Sequence, residues 1–304
     1  MRSREAAKVF TGYWVLGTEK LKDATLFGRM PIFYSLLAVL CWGTSDFTGG
    51  YASKRSDAFL VTLTAHASGT VLMTTLALAT HAPMLSTNSG LWALAAGSLG
   101  GLALAIFYRA LAGGKMGLTA PISALLGAAI PTGFGILTQG LPGKLPILGF
   151  VLAAVGIWLI SRPEEKLGHP EGISMAVLAG IGFAGFMLCI HRVGDSSVLW
   201  SAAYSRFASF VLVGVIVMLR IGKLHFQRND LLLGLLAGCI DATGTALFIR
   251  AEQVGRLDSA VVISSLYPAV TVILARLILK EHFHRWRALG ILAALVAVPL
   301  IALQ

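Results

Sequence analysis

The sequence predicts an all-α integral membrane protein in which ten transmembrane helices form two inverted five-helix repeats around a central cavity. Three features lead to this prediction: the composition, the lengths of the apolar segments and an internal repeat. Of the 304 residues, 56% are hydrophobic and only 12% are charged, whereas an average soluble protein has roughly 25% charged residues. The mean hydropathy is +0.80. A soluble fold of this length cannot bury so much apolar surface, so the class is an integral membrane protein.

Ten apolar segments are each long enough to cross a bilayer, which takes roughly 17–25 residues. They are apolar on all faces and do not alternate with polar residues, which favours helices over the strands of a membrane barrel. Short loops join them. The predicted spans are 32–52, 59–80, 91–112, 117–138, 145–161, 173–191, 198–220, 230–250, 257–279 and 286–302.

The internal repeat aligns "FYRALAGGKMGLTAPISALLGAA" at 107–129 with "FIRAEQVGRLDSAVVISSLYPAV" at 248–270, without a gap. Arg109 and Arg250 are matched, so equivalent positions lie 141 residues apart. The same spacing also matches Gly97 with Gly238, Gly149 with Gly290 and Ser68 with Ser209. We therefore predict a first repeat over residues 31–161 and a second over residues 172–303.

Each repeat holds five spans, and this odd number decides the relative orientation of the two copies. After five crossings the chain emerges on the opposite side of the membrane, so the second copy is inserted upside down. Inverted repeats are the architecture of many secondary transporters, which bind their substrates near the midplane between the repeats. The symmetry thus favours a carrier that opens alternately to the two sides.

The first thirty residues form a basic N-terminal tail, which is either an extension or a segment upstream of a true start at Met30. An even number of spans places both termini on one side. Odd-numbered loops carry twelve Lys and Arg residues, against ten in the even-numbered loops and the tail together. With the tail counted, the positive charge is nearly balanced between the two sides. If Met30 is the start, the charge of the odd-numbered loops favours an N-terminus outside the cytoplasm.

Asp46 is a carboxylate inside the first predicted span, and Trp42 lies one helical turn before it on the same face. One interpretation places both side chains on the wall of the cavity, where an acid and an indole suit a cationic or amine-bearing substrate. The other interpretation is an interfacial polar cluster in which Gly49 and Gly50 end the helix.

Arg206 and Asp241 are charged residues near the middle of the seventh and eighth spans. Intramembrane charges are costly, and they pair with each other or serve function. Arg206 therefore either pairs with a buried acid or binds the substrate. The remaining alternative is that the predicted span boundaries are misplaced. Asp241 is a candidate for proton coupling, or else a carboxyl group bonded to Thr243 or Thr245 on its own helix.

Pro131 and Pro268 are predicted helix breaks in the fourth and ninth spans. Each proline leaves a backbone carbonyl without its helical hydrogen bond, which is tolerated in a membrane if the carbonyl faces protein or a water-filled cavity. Ser264 and Tyr267 precede Pro268, and Ser123 is the equivalent of Ser264 in the first repeat. Two equivalent, interrupted, hydroxyl-bearing helices indicate a binding site. Kinks that serve only packing are the alternative.

Several motifs resemble the EamA family of the drug/metabolite transporter superfamily. They are "LLAVLCWGTSDF" in the first span, "YRALAGGKMGLTAPISALLGAAIP" at the third and fourth, "SSLYPAVTVILARLILKE" in the ninth and "LGILAALVAVPLIAL" in the tenth. The resemblance covers residues 31–303. It implies a ten-helix carrier of small metabolites or drugs, often an exporter driven by an ion gradient. It also implies a cavity lined by spans 1, 3, 4, 6, 8 and 9, and cytoplasmic termini.

We predict a secondary transporter, an exporter of a small metabolite or drug across the inner or plasma membrane, with the bilayer and a small molecule as its partners. Protons or another ion are the expected driving force, and coupling through Asp241 or Asp46 is a second hypothesis. No catalytic residue, metal, cofactor or nucleic-acid partner is predicted, because no P-loop, GxSxG or HExxH pattern occurs. The alternative is a non-transporting polytopic protein, either a scaffold subunit or a lipid-processing enzyme. The oligomeric state is not predicted.

Overall fold

The computed structural model describes residues 30–112, 116–160, 171–219, 227–279 and 285–302, and all regular secondary structure in these ranges is helical. The predicted basic tail therefore lies outside the described residues, apart from Met30. The helices are α1 Met30–Ser53, α2 Ala58–Ala79, α3 Thr87–Ala112, α4 Met116–Gln139, α5 Lys144–Ile160, α6 Glu171–Val193, α7 Val198–Leu219, α8 Arg228–Val254, α9 Leu257–Ser264, α10 Tyr267–Leu279 and α11 Arg285–Ile301.

Every segment predicted to cross the membrane is helical. In the described part of the chain, seven helices are long and apolar enough to do so, with α9 and α10 counted as one segment. Helix α5 and the apolar part of α11 are shorter. Large apolar side chains such as Leu137 and Met218, both 86% exposed, lie on the outside. The described helices therefore have the outward apolar surface of a multi-pass membrane protein.

Helix α1 continues through Gly49 and Gly50 to Ser53, so the interpretation in which these glycines end the helix is wrong. Gly49 has a packing role inside the helix, because a Cβ atom at this position would collide with the side chain of Tyr108 on α3. The glycine lets α1 and α3 approach closely.

The two predicted helix breaks differ in outcome. Near Pro268 the helix is interrupted, because α9 ends at Ser264 and α10 begins at Tyr267. The prediction for Pro131 is wrong, since α4 runs without interruption to Gln139. A proline removes a single backbone hydrogen bond, here the one to the carbonyl of Gly127, and the remaining bonds keep the helix continuous.

Helices α5 and α11, the last span of each predicted repeat, pack closely and run antiparallel. A Cβ atom on Gly149 would lie 2.7 Å from Cγ1 of Ile301, and one on Gly290 would lie 2.7 Å from the backbone nitrogen of Ile160. Gly149 and Gly290 are equivalent in the sequence repeat, and so are Ile160 and Ile301. The interface is therefore built twice from the same positions.

Equivalent contacts also join the second helix of each repeat to the third helix of the other. Ser68 on α2 donates a hydrogen bond of 2.7 Å to the carbonyl of Leu235 on α8. Its equivalent, Ser209 on α7, donates a bond of 2.6 Å to the carbonyl of Gly97 on α3. These serines and the glycine allow close contact between the helices.

A third pair of equivalent contacts joins the loop after the first helix of each repeat to the start of the third helix of the other repeat. Arg55, after α1, forms an ion pair of 2.5 Å with Asp230 at the start of α8. The equivalent positions hold Ser196, after α6, and Ser89 in α3, whose hydroxyl groups hydrogen-bond at 3.0 Å. Hydrogen bonds with Asp230 and then Tyr51 raise the pKa of the Arg55 guanidinium, which keeps it charged.

Candidate functional site

A cavity of about 620 Å³, its open mouth included, lies among the helices at the middle of the molecule. Its wall combines three charged residues with a mainly apolar and aromatic surface. The lining residues are Trp42, Asp46, Gly100, Leu104, Ser123, Ala124, Gly127, Phe183, Phe186, Met187, Arg206, Asp241, Thr245, Ser265 and Tyr267. They come from α1, α3, α4, α6, α7, α8, the break after α9 and the start of α10.

Arg206 and Asp241 form an ion pair across the α7–α8 interface. Their side chains are 7% and 11% exposed, and Nη1 of Arg206 lies 2.9 Å from Oδ2 of Asp241. The other guanidinium nitrogen, Nη2, donates to the hydroxyl oxygen of Thr245, one turn after Asp241. Pairing offsets the cost of placing both charges away from water. Thr243 is exposed and donates to the carbonyl of Cys239, so it does not bind Asp241.

Asp46 and Trp42 both line the cavity, as the first of the two interpretations of α1 proposed. The indole of Trp42 packs against Phe248, with 5.4 Å between ring centroids, and meets the ring of Tyr267 edge-on at 6.3 Å. Arg55 pairs with Asp230 and not with Asp46. The carboxylate of Asp46 is half-buried and receives no hydrogen bond from the residues that the structure describes.

The hydroxyl-bearing residues that the sequence singled out occupy different environments. Ser123 and Tyr267 line the cavity, and Ser123 donates a hydrogen bond of 2.9 Å to the carbonyl of Ala176 on α6. Ser264 is fully buried, its hydroxyl has no hydrogen-bond partner among the described residues, and it does not line the cavity. Its neighbour Ser265, in the break before α10, lines the cavity instead.

Ten of the fifteen residues that line the cavity form pairs related by the sequence repeat. Trp42 is equivalent to Phe183, Asp46 to Met187, Gly100 to Asp241, Leu104 to Thr245 and Ala124 to Ser265, and both members of every pair lie on the wall. The charges do not follow the repeat, because each acid is matched by an uncharged residue. The cavity is thus symmetric in position and asymmetric in chemistry.

Some lining residues were not identified from the sequence. Phe183 and Phe186 on α6 form much of the aromatic wall, and Leu104 and Met187 add apolar surface. In an apolar helix such residues look like ordinary packing residues. The repeat carried a usable signal for two of them, because Phe183 is the equivalent of Trp42 and Met187 the equivalent of Asp46.

The crystal structure of another protein shares this fold, with a TM-score of 0.73. The alignment covers 90% of this chain and 98% of the other chain, at 16% sequence identity. An identity this low establishes the fold alone. No curated protein sequence matches this chain.

The second half of the chain, residues 170–303, matches the EamA-like transporter family. This range contains α6 to α11 and supplies Arg206, Asp241 and Tyr267 to the cavity. Helical structure, an apolar outer surface and a cavity among the helices all agree with a transporter family. The match assigns residues 170–303 to the EamA-like transporter family, which belongs to the drug/metabolite transporter superfamily.

Proposed function

We propose that this protein is a secondary transporter, an exporter that moves a small metabolite or drug across the inner or plasma membrane by alternating access. The observation that carries the proposal is the cavity, in whose wall ten of fifteen residues are paired by the sequence repeat. A binding site between two symmetric halves can open to either side when the halves exchange conformations.

The proposed architecture is ten spans in two repeats, residues 31–161 and 172–303, related by an axis in the membrane plane. The paired contacts of Gly149 with Ile301 and of Gly290 with Ile160 support such a two-fold relation. The same contacts make α5 and α11 antiparallel, although they are equivalent helices. A two-fold axis that reverses equivalent helices is perpendicular to them, which supports an inverted repeat over a parallel one.

The cavity also favours a transporter over a scaffold subunit. A scaffold has no use for a charged pair and an unpaired carboxylate facing an internal space, since intramembrane charges are costly. Transport is tested by comparing the small molecules inside and outside cells with and without the protein. The compound whose distribution changes is then measured as flux into vesicles containing the purified protein. Equal distributions and no flux contradict the proposal.

Proton coupling is a second part of the proposal, carried by Asp241 or Asp46. Both carboxylates line the cavity, and Asp241 faces Arg206, which can hold it ionised or release it when substrate binds. An imposed pH gradient across vesicles should drive flux of the identified compound. If Asp241→Asn and Asp46→Asn both leave gradient-driven flux intact, protons do not act through these residues.

We propose that both termini face the cytoplasm. The support is the even number of spans together with the family resemblance. The positive charges are nearly balanced between the two sides only when those of the tail are counted with the even-numbered loops. A reporter enzyme that works only in the cytoplasm should be active when it is fused after Gln304. A fusion that is active only outside the cytoplasm reverses the orientation.

A further inference from the structure

We propose that the cavity selects a small organic cation with an aromatic or other apolar body, and that Asp46 binds the positive charge. This inference rests on the proposed transport function and names the substrate class of the same site. It follows from three observations, namely the balance of charge on the wall, the unpaired state of Asp46 and the scarcity of polar groups.

The charge on the described wall is one negative in excess. Asp46, Arg206 and Asp241 are its charged residues, and both terminal nitrogens of Arg206 are already engaged, Nη1 by Asp241 at 2.9 Å and Nη2 by the hydroxyl of Thr245. A carboxylate substrate has to displace Asp241 from this pair to reach the guanidinium. Displacement leaves a buried acid without its counter-charge, so anionic substrates are disfavoured.

Asp46 is the acid left over. Among the described residues it has no salt bridge and accepts no hydrogen bond, yet it lies at membrane depth on the cavity wall. A bound cation beside Asp46 offsets the cost of an unpaired carboxylate in this position, so the cavity favours positive charge.

The aromatic residues around Asp46 suit the rest of such a molecule. Trp42 lies one turn away on α1, Tyr267 meets its indole edge-on at 6.3 Å, and Phe183 and Phe186 line the facing wall. Aromatic faces bind ammonium groups through their quadrupole and bind apolar bodies by dispersion. A carboxylate combined with aromatic rings is the usual chemistry for recognising organic cations.

Polar substrates such as sugars and nucleosides do not fit this wall. The described lining contains no Asn, Gln, His or Lys, and its hydroxyl groups are few. The hydroxyl of Ser123 already donates to Ala176, and that of Thr245 accepts from Arg206. A substrate with many hydrogen-bonding groups would leave several of them unsatisfied in the cavity.

The experiment measures binding of benzyltrimethylammonium, benzyl alcohol and phenylacetate to the full-length protein in nanodiscs by isothermal titration calorimetry. These probes share one ring and differ in charge, and the ammonium group is permanently charged. We expect saturable binding of the cation, at least tenfold weaker binding of the other two probes, and a loss of at least tenfold for the cation in Asp46→Asn. Asp195→Asn, the same change on an exposed loop, should bind the cation like the original protein.

Two results overturn the inference: phenylacetate or benzyl alcohol binding as tightly as the cation, or cation binding that is unchanged in Asp46→Asn. The comparison of probes on the original protein decides the matter even if Asp46→Asn does not fold. Flux of the same probes into vesicles separates this inference from the proposed function. Cation binding without flux contradicts transport but keeps the site, whereas flux restricted to uncharged or anionic compounds contradicts the site but keeps transport.

Discussion

At the scale of single residues, the ion pair of Arg206 and Asp241 organises the cavity. The sequence identified both residues, because charges are rare inside apolar spans. It left open whether Arg206 meets Asp46 or Asp241, since the partner depends on the packing of α7 against α8. That packing brings Arg206 to Asp241 and Thr245 and leaves Asp46 free to meet a ligand.

Removing one partner of this pair should destabilise the protein. We expect Arg206→Met to lower the free energy of unfolding by about 3–5 kcal/mol, because Asp241 is then a buried charge without a counter-charge. Denaturation of the purified protein measures this loss. The double variant Arg206→Met with Asp241→Asn should recover part of it, whereas equal losses in the single and double variants would show that the pair is not coupled.

His66 on α2 is another buried polar residue, and no pattern in the sequence singled it out. Its side chain is fully buried, and neither ring nitrogen has a hydrogen-bond partner among the described residues. An unsatisfied buried group costs about 1–3 kcal/mol. The replacement His66→Leu, of similar volume, should therefore raise the melting temperature and leave flux unchanged. A lower melting temperature combined with lost flux would assign the imidazole a role in transport.

At the scale of helices, length and apolar character predicted the segments well. All the predicted spans are helical, because a bilayer allows few other structures and needs about twenty apolar residues for each helix. The effect of a proline was harder to predict. Pro131 and Pro268 look alike in the sequence, yet only Pro268 accompanies a break. The difference depends on whether neighbouring residues keep the helical path, which is a property of the packed structure.

Close helix contacts at glycine provide a test at this scale. A Cβ atom at Gly238 would collide with the backbone of Ala65 on α2, whereas one at Gly133 on α4 would meet nothing within 4 Å. We expect Gly238→Ala to reduce folded yield and melting temperature sharply, because backbone cannot move aside as a flexible side chain can. The matched change Gly133→Ala should leave the protein as stable or stabilise it by up to about 1 kcal/mol. Similar melting temperatures for the two variants would contradict the α2–α8 contact.

At the scale of the whole molecule, the repeat was the most informative feature of the sequence. Its spacing of 141 residues relates the contacts of α5 with α11, the ties between loops and helix starts, and the paired positions on the cavity wall. The asymmetric chemistry of the cavity could be read only in part, because equivalent positions carry unrelated side chains. Asp46 is equivalent to Met187 and Asp241 to Gly100, so neither acid has an acidic counterpart in the other half.

The most direct test of the central claim is the two-sided accessibility of the cavity, which needs no knowledge of the substrate. Cys41, Cys189 and Cys239 are replaced by alanine, and Phe183→Cys places one thiol on the half-buried cavity wall. A membrane-impermeant thiol reagent is then applied to right-side-out and to inside-out vesicles, with Asp195→Cys on an exposed loop as the control. Alternating access predicts that Phe183→Cys reacts from both sides, while Asp195→Cys reacts from one. Reaction of Phe183→Cys from one side only, in every condition, would contradict alternating access.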